Sequence, residues 1–230
     1  ARVWSVDGDD EPTILEGPKG PLFSAAYRPD GKAIVTAAWD GAARVHLDGI
    51  AEPLLLRASE SQLGAAAFSP DGKRVATASA DTLVRLWDAA SPGAPVVLRG
   101  HERVVRGLAF RPDGALLATA SADRTVRIWD ATGAGKPLVL HGHEAEVRSV
   151  AWSADGRQLV TASSDRTARI WKVAYPPVDP GKDARALQES LRAQVADCLS
   201  TDLRRSYLGE SERVARSEEH TSELQSPLNI

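Results

Sequence analysis

The chain has no methionine and a single cysteine, Cys198, among its 230 residues. A lone thiol excludes a disulfide framework within these residues and says little about compartment. Neither sign of charge dominates. The 28 Lys and Arg against 31 Asp and Glu leave a formal net charge of -3, so there is no electrostatic reason to expect nucleic acid or an anionic membrane. No apolar run approaches the roughly 20 residues of a membrane span, and no basic-then-apolar leader opens the chain. Catalytic signatures are missing as well: there is no glycine-rich phosphate loop, no nucleophile elbow, no HExxH and no CxxC. The expectation is a soluble, cytoplasmic, non-catalytic chain with no cofactor, no bound metal and no small-molecule substrate. With 43% apolar residues it has ample material for a core.

What the chain does have is repetition. Gly100-His101 followed by Ser121-Ala122-Asp123-Arg124-Thr125-Val126-Arg127-Ile128-Trp129 returns as Gly142-His143 followed by Ser163-Ser164-Asp165-Arg166-Thr167-Ala168-Arg169-Ile170-Trp171. Trp87, Trp129 and Trp171 stand 42 residues apart, and His46 holds the same place 41 residues before Trp87. Asp30-Gly31, Asp71-Gly72, Asp113-Gly114 and Asp155-Gly156 keep the same beat. Self-similarity at this period means a stacked array in which no unit buries its apolar face alone.

Within a unit the pattern is that of short strands. Val147–Trp152 alternates like a half-buried strand, Gln158–Ser163 follows an Asp-Gly turn, and Thr167–Trp171 follows a tight turn carrying Asp165. In earlier units a linker ends in a fourth short strand such as Pro137–Leu140. β-Branched and apolar residues cut by Gly, Asp and Pro at this spacing predict an all-β, antiparallel fold. Four strands per unit, repeated radially, is the logic of a β-propeller.

Gly100-His101, Phe110-Arg111-Pro112-Asp113-Gly114, Ala118-Thr119-Ala120-Ser121, Asp123 and Trp129-Asp130 resemble the WD40-repeat family, and the resemblance covers residues 1 to about 173. It implies a buried hydrogen-bonded tetrad in each blade, placed at His101, Thr119, Asp123 and Trp129, and again at His143, Thr161, Asp165 and Trp171. Physical chemistry agrees: a buried indole N–H needs an acceptor and a buried carboxylate needs several donors, so such groups persist only as a closed network. The earlier units depart from the pattern. Unit two keeps Thr77, Asp81 and Trp87 with Ser59 in place of histidine; unit one keeps Thr36 and Asp40, with Pro18 for histidine and His46 for tryptophan. Both are expected to rest more on packing than on the network. His141-Gly142-His143 offers two imidazoles, read as a strand-end histidine beside the tetrad histidine rather than as a metal pair.

The expected organisation is the end of a blade over residues 1–17, WD repeats over 18–57, 58–99, 100–141 and 142–175, a linker and helical tail over 176–215, and a terminal stretch over 216–230. This is an incomplete WD40 β-propeller, an open arc of four blades and part of a fifth followed by a short α-helical tail. Seven such units would need about 290 residues, and the chain opens in mid-unit, so it reads as a fragment. In the tail, Leu187, Leu191, Val195 and Leu199 recur every four residues as an amphipathic helix that includes Cys198. Arg216 to Ser226 corresponds codon by codon to one frame of a common short-read sequencing adapter, so residues 216–230 are read as adapter-derived and disordered.

The resemblance implies a protein-interaction scaffold that binds protein partners through the propeller rim. The candidate rim residues are Phe23, Trp39, Glu102, Arg106, Glu144, Glu146 and Arg148. Trp39 stands out because its counterparts are Ala80, Ala122 and Ser164, and a rim tryptophan near Phe23 has the composition of an interface anchor. The rival reading is that Trp39 covers the weakened core of unit one. A second rival follows from Ala196–Ser200 and Tyr207–Ser211, which resemble the tails of large bacterial proteins. On that reading the array is the sensor or recruitment module of a bacterial Ser/Thr kinase or STAND-type NTPase with its catalytic domain upstream.

Overall fold

The Asp-Gly turns set the strands. In this computed structural model, which describes residues 1–4, 11–15, 20–50, 52–91 and 93–173, Gly31, Gly72, Gly114 and Gly156 all have φ between 67° and 74°. At each turn the aspartate before the glycine accepts the amide of the residue two further on, at 3.0–3.1 Å. Seventeen strands follow among the described residues. The helical tail with Cys198 and the adapter-like stretch lie outside them.

β1 (Arg2–Val3) pairs with β2 (Thr13–Ile14). Unit one is the sheet of β3 (Leu22–Tyr27), β4 (Ala33–Ala38), β5 (Ala42–Leu47) and β6 (Leu54–Arg57). Unit two consists of β7 (Leu63–Phe68), β8 (Arg74–Ser79), β9 (Val84–Asp88) and β10 (Val96–Leu98). Unit three consists of β11 (Val105–Phe110), β12 (Leu116–Ser121), β13 (Val126–Asp130) and β14 (Leu138–Leu140). Unit four shows three strands among the described residues: β15 (Val147–Trp152), β16 (Gln158–Ser163) and β17 (Ala168–Lys172). Every pairing is antiparallel and every sheet is open, its strands in sequence order without closing into a barrel. The all-β expectation is met, with four strands in each of units one to three.

The core lies between consecutive sheets. Val35, Ala37 and Val45 of unit one share a buried cluster with Ala66, Phe68, Val75 and Trp87 of unit two. Ala76, Ala78 and Leu86 of unit two are buried with Leu117 and Trp129 of unit three, and Leu108 and Phe110 pack against them. Units three and four are tied by the Trp152 indole, which donates to the Ala109 carbonyl at 3.1 Å. Burying each of these larger side chains contributes about 1.5–3 kcal/mol, and the contribution depends on the neighbouring unit being present.

One feature recurs at the start of each unit's first strand. The pairing register slips between Leu22 and Ser24, Leu63 and Ala65, Val105 and Gly107, and Val147 and Ser149. The extra residues of these four β-bulges are Phe23, Gly64, Arg106 and Arg148. A bulge leaves its extra residue out of the ladder and re-aims its side chain.

Candidate functional site

Two kinds of site emerge, one inside the sheets and one at their rim. In unit three, His101 Nδ1 lies 2.7 Å from Asp123 Oδ2, its Nε2 lies 2.8 Å from Thr119 Oγ1, and the Trp129 indole donates to that same Oγ1 at 2.8 Å. Unit four repeats this with His143, Asp165, Thr161 and Trp171 at 2.7, 2.8 and 2.9 Å. The donors can be assigned by elimination. A carboxylate only accepts, so in the neutral imidazole the ring hydrogen of His101 sits on Nδ1 and the Thr119 hydroxyl donates to Nε2 while accepting from the indole. Trp129, Thr119, His101 and Asp123 thus form one directed chain of hydrogen bonds. The imidazole meets the indole edge-on, with ring centroids 6.1 Å apart in unit three and 6.2 Å apart in unit four.

The carboxylate end is fully occupied. Asp123 also accepts the amides of Glu102 and Thr125 at 3.1 and 2.9 Å and the Thr125 hydroxyl at 2.6 Å. Burial alone would raise its pKa, but the hydrogen bonds from His101 and Thr125 outweigh it and hold the group far below the usual carboxylate range. Asp165 is held equally low, chiefly by the Thr167 hydroxyl, with His143 adding to it against the cost of burial. Groups so firmly ionised and saturated with donors have no proton to give and no free lone pair to take one, which makes them poor general acids or bases.

Units one and two keep part of this chain. The Trp87 indole donates to Thr77 Oγ1 at 3.1 Å, and His46 Nε2 lies 3.4 Å from Thr36 Oγ1, so His46 occupies the tryptophan's place at the threonine. Burial holds the His46 imidazole below its ordinary value, with the positive charge of Arg44 adding to the effect. Where histidine is missing, an arginine takes the carboxylate: Arg44 Nη2 lies 2.6 Å from Asp40 Oδ2, and Arg85 Nη2 lies 2.8 Å from Asp81 Oδ2. For Asp81, burial pushes upward, while Arg85 and the Ser59 hydroxyl bring it below the ordinary value. The matching Arg127 and Arg169 in units three and four lie over Gly100 and Gly142, where an added Cβ would come within 2.4 and 3.0 Å of their Nη1 atoms. Units one and two are expected from the sequence to rest more on packing than on the network; the structure gives Asp40 and Asp81 each an ion pair. An arginine four residues after each of these aspartates is visible in all four units, and its change of partner follows from the loss of the histidine.

At the rim, the residue before each turn aspartate is fixed by one recurring backbone bond. Trp39, Ala80, Ala122 and Ser164 donate to the carbonyls of Pro21, Gln62, Val104 and Glu146 at 2.9–3.0 Å. The backbone is constant and the side chain is free to vary. In unit one the bulged Phe23 and Trp39 come together, with ring centroids 6.0 Å apart and planes inclined by 34°. Phe23 is 47% exposed and Trp39 is 57% exposed. Trp39 is not among the residues of the buried cluster shared by units one and two, nor among the half-buried residues packed on it.

Units three and four present charge instead. Glu146 sits between the two bulged arginines, with Arg148 Nη2 at 3.0 Å and Arg106 Nη2 at 3.5 Å, and the Arg148 Nε donates to Ser164 Oγ at 2.7 Å. Beside them is a polar cavity of about 520 Å³ lined by Glu102, Arg103, Asp123, Arg124 and Glu146. Glu102 and Glu144 are exposed, and their amides cap Asp123 and Asp165 at 3.1 Å. Of the rim residues read from the sequence, Phe23 joins Trp39, and Arg106 and Arg148 join Glu146. Glu102 and Glu144 are instead tied by their backbone to the buried networks. Among the described residues no group of three or more His, Cys, Asp or Glu is arranged to hold a metal ion, and no helix is long and apolar enough to cross a membrane.

Residues 10–46, 54–88, 95–130 and 136–172 each match the family model described as WD domain, G-beta repeat. No curated protein matches the chain.

Proposed function

The chain belongs to the WD40-repeat family, and from that premise we propose that it is a non-catalytic interaction scaffold whose protein partner docks on the rim of unit one. The observation that carries this reading is the exposed Phe23–Trp39 pair. A solvent-facing tryptophan stacked on a phenylalanine stabilises the free protein little, whereas covering it with a partner removes a large apolar area from water. Residues of this kind become the few that dominate binding, at about 2–4 kcal/mol each. The charged cluster of units three and four contributes less, because Arg106 and Arg148 already face Glu146 and neither pair is left free for a partner's charge.

The test is Trp39→Ala, read by quantitative capture of co-purifying proteins and by thermal melting. Capture of the partner should weaken by about 30-fold or more, while stability stays within about 0.5 kcal/mol of the parent. A large fall in melting temperature with capture intact would instead make Trp39 a structural residue and end this reading.

A further inference from the structure

The polar cavity of about 520 Å³ between units three and four is lined by two arginines, Arg103 and Arg124, that take no part in the ion pairs beside it. Both residues are exposed. Two of the neighbouring carboxylates are engaged elsewhere: Asp123 accepts from His101, and Glu146 faces Arg106 and Arg148. That leaves Glu102, itself exposed, as the carboxylate set against the two guanidinium groups among the described residues of the cavity. The groups not already paired therefore sum to one positive charge.

The backbone under both arginines is pinned by one buried residue. The Ser121 hydroxyl donates to the Arg103 and Val104 carbonyls at 3.1 and 3.0 Å, and the Ser121 carbonyl accepts the Arg124 amide at 3.2 Å. The Glu102 amide is tied to Asp123 at 3.1 Å. Unit four repeats the first of these bonds, with the Ser163 hydroxyl on the Ala145 carbonyl at 3.1 Å, but carries alanine where unit three has Arg103. The backbone thus needs no arginine at either place. Counterparts of Arg103 are Gly20, Ser61 and Ala145, and those of Arg124 are Gly41, Thr82 and Arg166. Arg124 has φ 71°, a conformation that glycine adopts without steric cost. Unit three alone of the four carries arginine at both positions.

We propose that this cavity receives one acidic side chain, an aspartate or glutamate of a protein partner, held by Arg103 and Arg124. A guanidinium presents a rigid fork of donors that matches the two oxygens of a carboxylate. The single uncompensated positive charge suits a carboxylate; a phosphate monoester would bring a second negative charge toward Glu102. The proposal rests on the reading of the chain as an interaction scaffold, and it adds an anionic contact on a different unit from the Phe23–Trp39 pair.

The experiment is titration of the full chain with a hexaglutamate peptide at low salt, followed by calorimetry and by NMR of the arginine Nε–H groups. The variants are Arg103→Ser and Arg124→Thr, each of which installs the residue that unit two carries at that place, and Glu102→Gln. Hexaglutamate should bind and shift the Arg103 and Arg124 signals, while hexaglutamine should not. Each arginine variant should weaken binding by about tenfold or more, and Glu102→Gln should strengthen it. Trp39→Ala should leave hexaglutamate binding unchanged, so that failure of the docking site on unit one and failure of this cavity are read apart. Absence of hexaglutamate binding, or equal binding by the parent and both arginine variants, would overturn the proposal. Inorganic phosphate binding more tightly than hexaglutamate at the same two arginines would also overturn it, by making the cavity a site for phosphorylated side chains. Melting of each variant near the parent's establishes that it folds, and Arg103→Ser carries the test alone if Arg124→Thr melts early.

Discussion

Replacing Gly41 by alanine is expected to destabilise the fold by about 3–5 kcal/mol, from a backbone cost of about 1–3 kcal/mol and an overpacking cost of similar size. Gly41 has φ 75°, in the left-handed region. The same turn position in the other units holds Thr82, Arg124 and Arg166 at φ 73°, 71° and 69°, so the conformation by itself is tolerated. What differs is the neighbour. The Gly41 carbonyl accepts the amides of both Ala58 and Ser59 at 3.1 Å, and this draws the segment after β6 onto the turn. A Cβ on Gly41 would stand 1.9 Å from the Ser59 carbonyl oxygen, a backbone atom that cannot rotate away. Gly31→Ala is the control: its φ is 74° but nothing lies within 4 Å of the added Cβ. It should cost only about 1–2 kcal/mol. Urea unfolding of the two variants separates the contributions; equal losses would show that the contact with Ser59 carries no weight.

Thr119→Val should cost about 2–4 kcal/mol, and Thr77→Val about half of that. The substitution puts a methyl group in the place of one hydroxyl, which can neither donate nor accept. In unit three that hydroxyl serves two buried groups, accepting from the Trp129 indole and donating to His101 Nε2. Both are orphaned, at about 1–3 kcal/mol each. In unit two the threonine serves the Trp87 indole alone, since Ser59 stands where the histidine would be. Denaturant unfolding of the two variants measures the gradient. Equal losses would mean that the histidine adds nothing to the network.

The strand beat and the turns could be read from the sequence because each depends on local chemistry. Val147–Trp152 and Gln158–Ser163 appear as strands at the residues where alternation and the Asp-Gly turn place them. The buried chains of units three and four were legible through the resemblance, which brings His101, Thr119, Asp123 and Trp129 together across 28 residues of sequence. The β-bulges were missed because Phe23, Gly64, Arg106 and Arg148 share no chemistry. Their trace is a spacing: Leu22 and Ala25, Leu63 and Ala66, Val105 and Leu108, and Val147 and Val150 stand three apart where a regular strand would repeat at two. The exchange of histidine for arginine at Asp40 and Asp81 was missed for another reason. The arginine is present in every unit, and only the neighbouring residue decides which way it turns. Trp39 showed as a chemical anomaly, but whether it faced core or solvent depended on packing between units, which is not a local property.

On the proposed reading Trp87, Trp129, Trp152 and Trp171 hold the units together and Trp39 is offered to a partner. Solvent exchange of the six indole N–H groups, resolved by NMR on the free protein, tests it directly. Trp87 and Trp129, buried and bonded to Thr77 and Thr119, should exchange slowest. Trp171 and Trp152, half-buried and bonded to Thr161 and Ala109, should follow. Trp4 and Trp39, both more than half exposed, should exchange fastest. A Trp39 indole as protected as that of Trp129, or a Trp129 indole exchanging as fast as that of Trp39, would contradict the account.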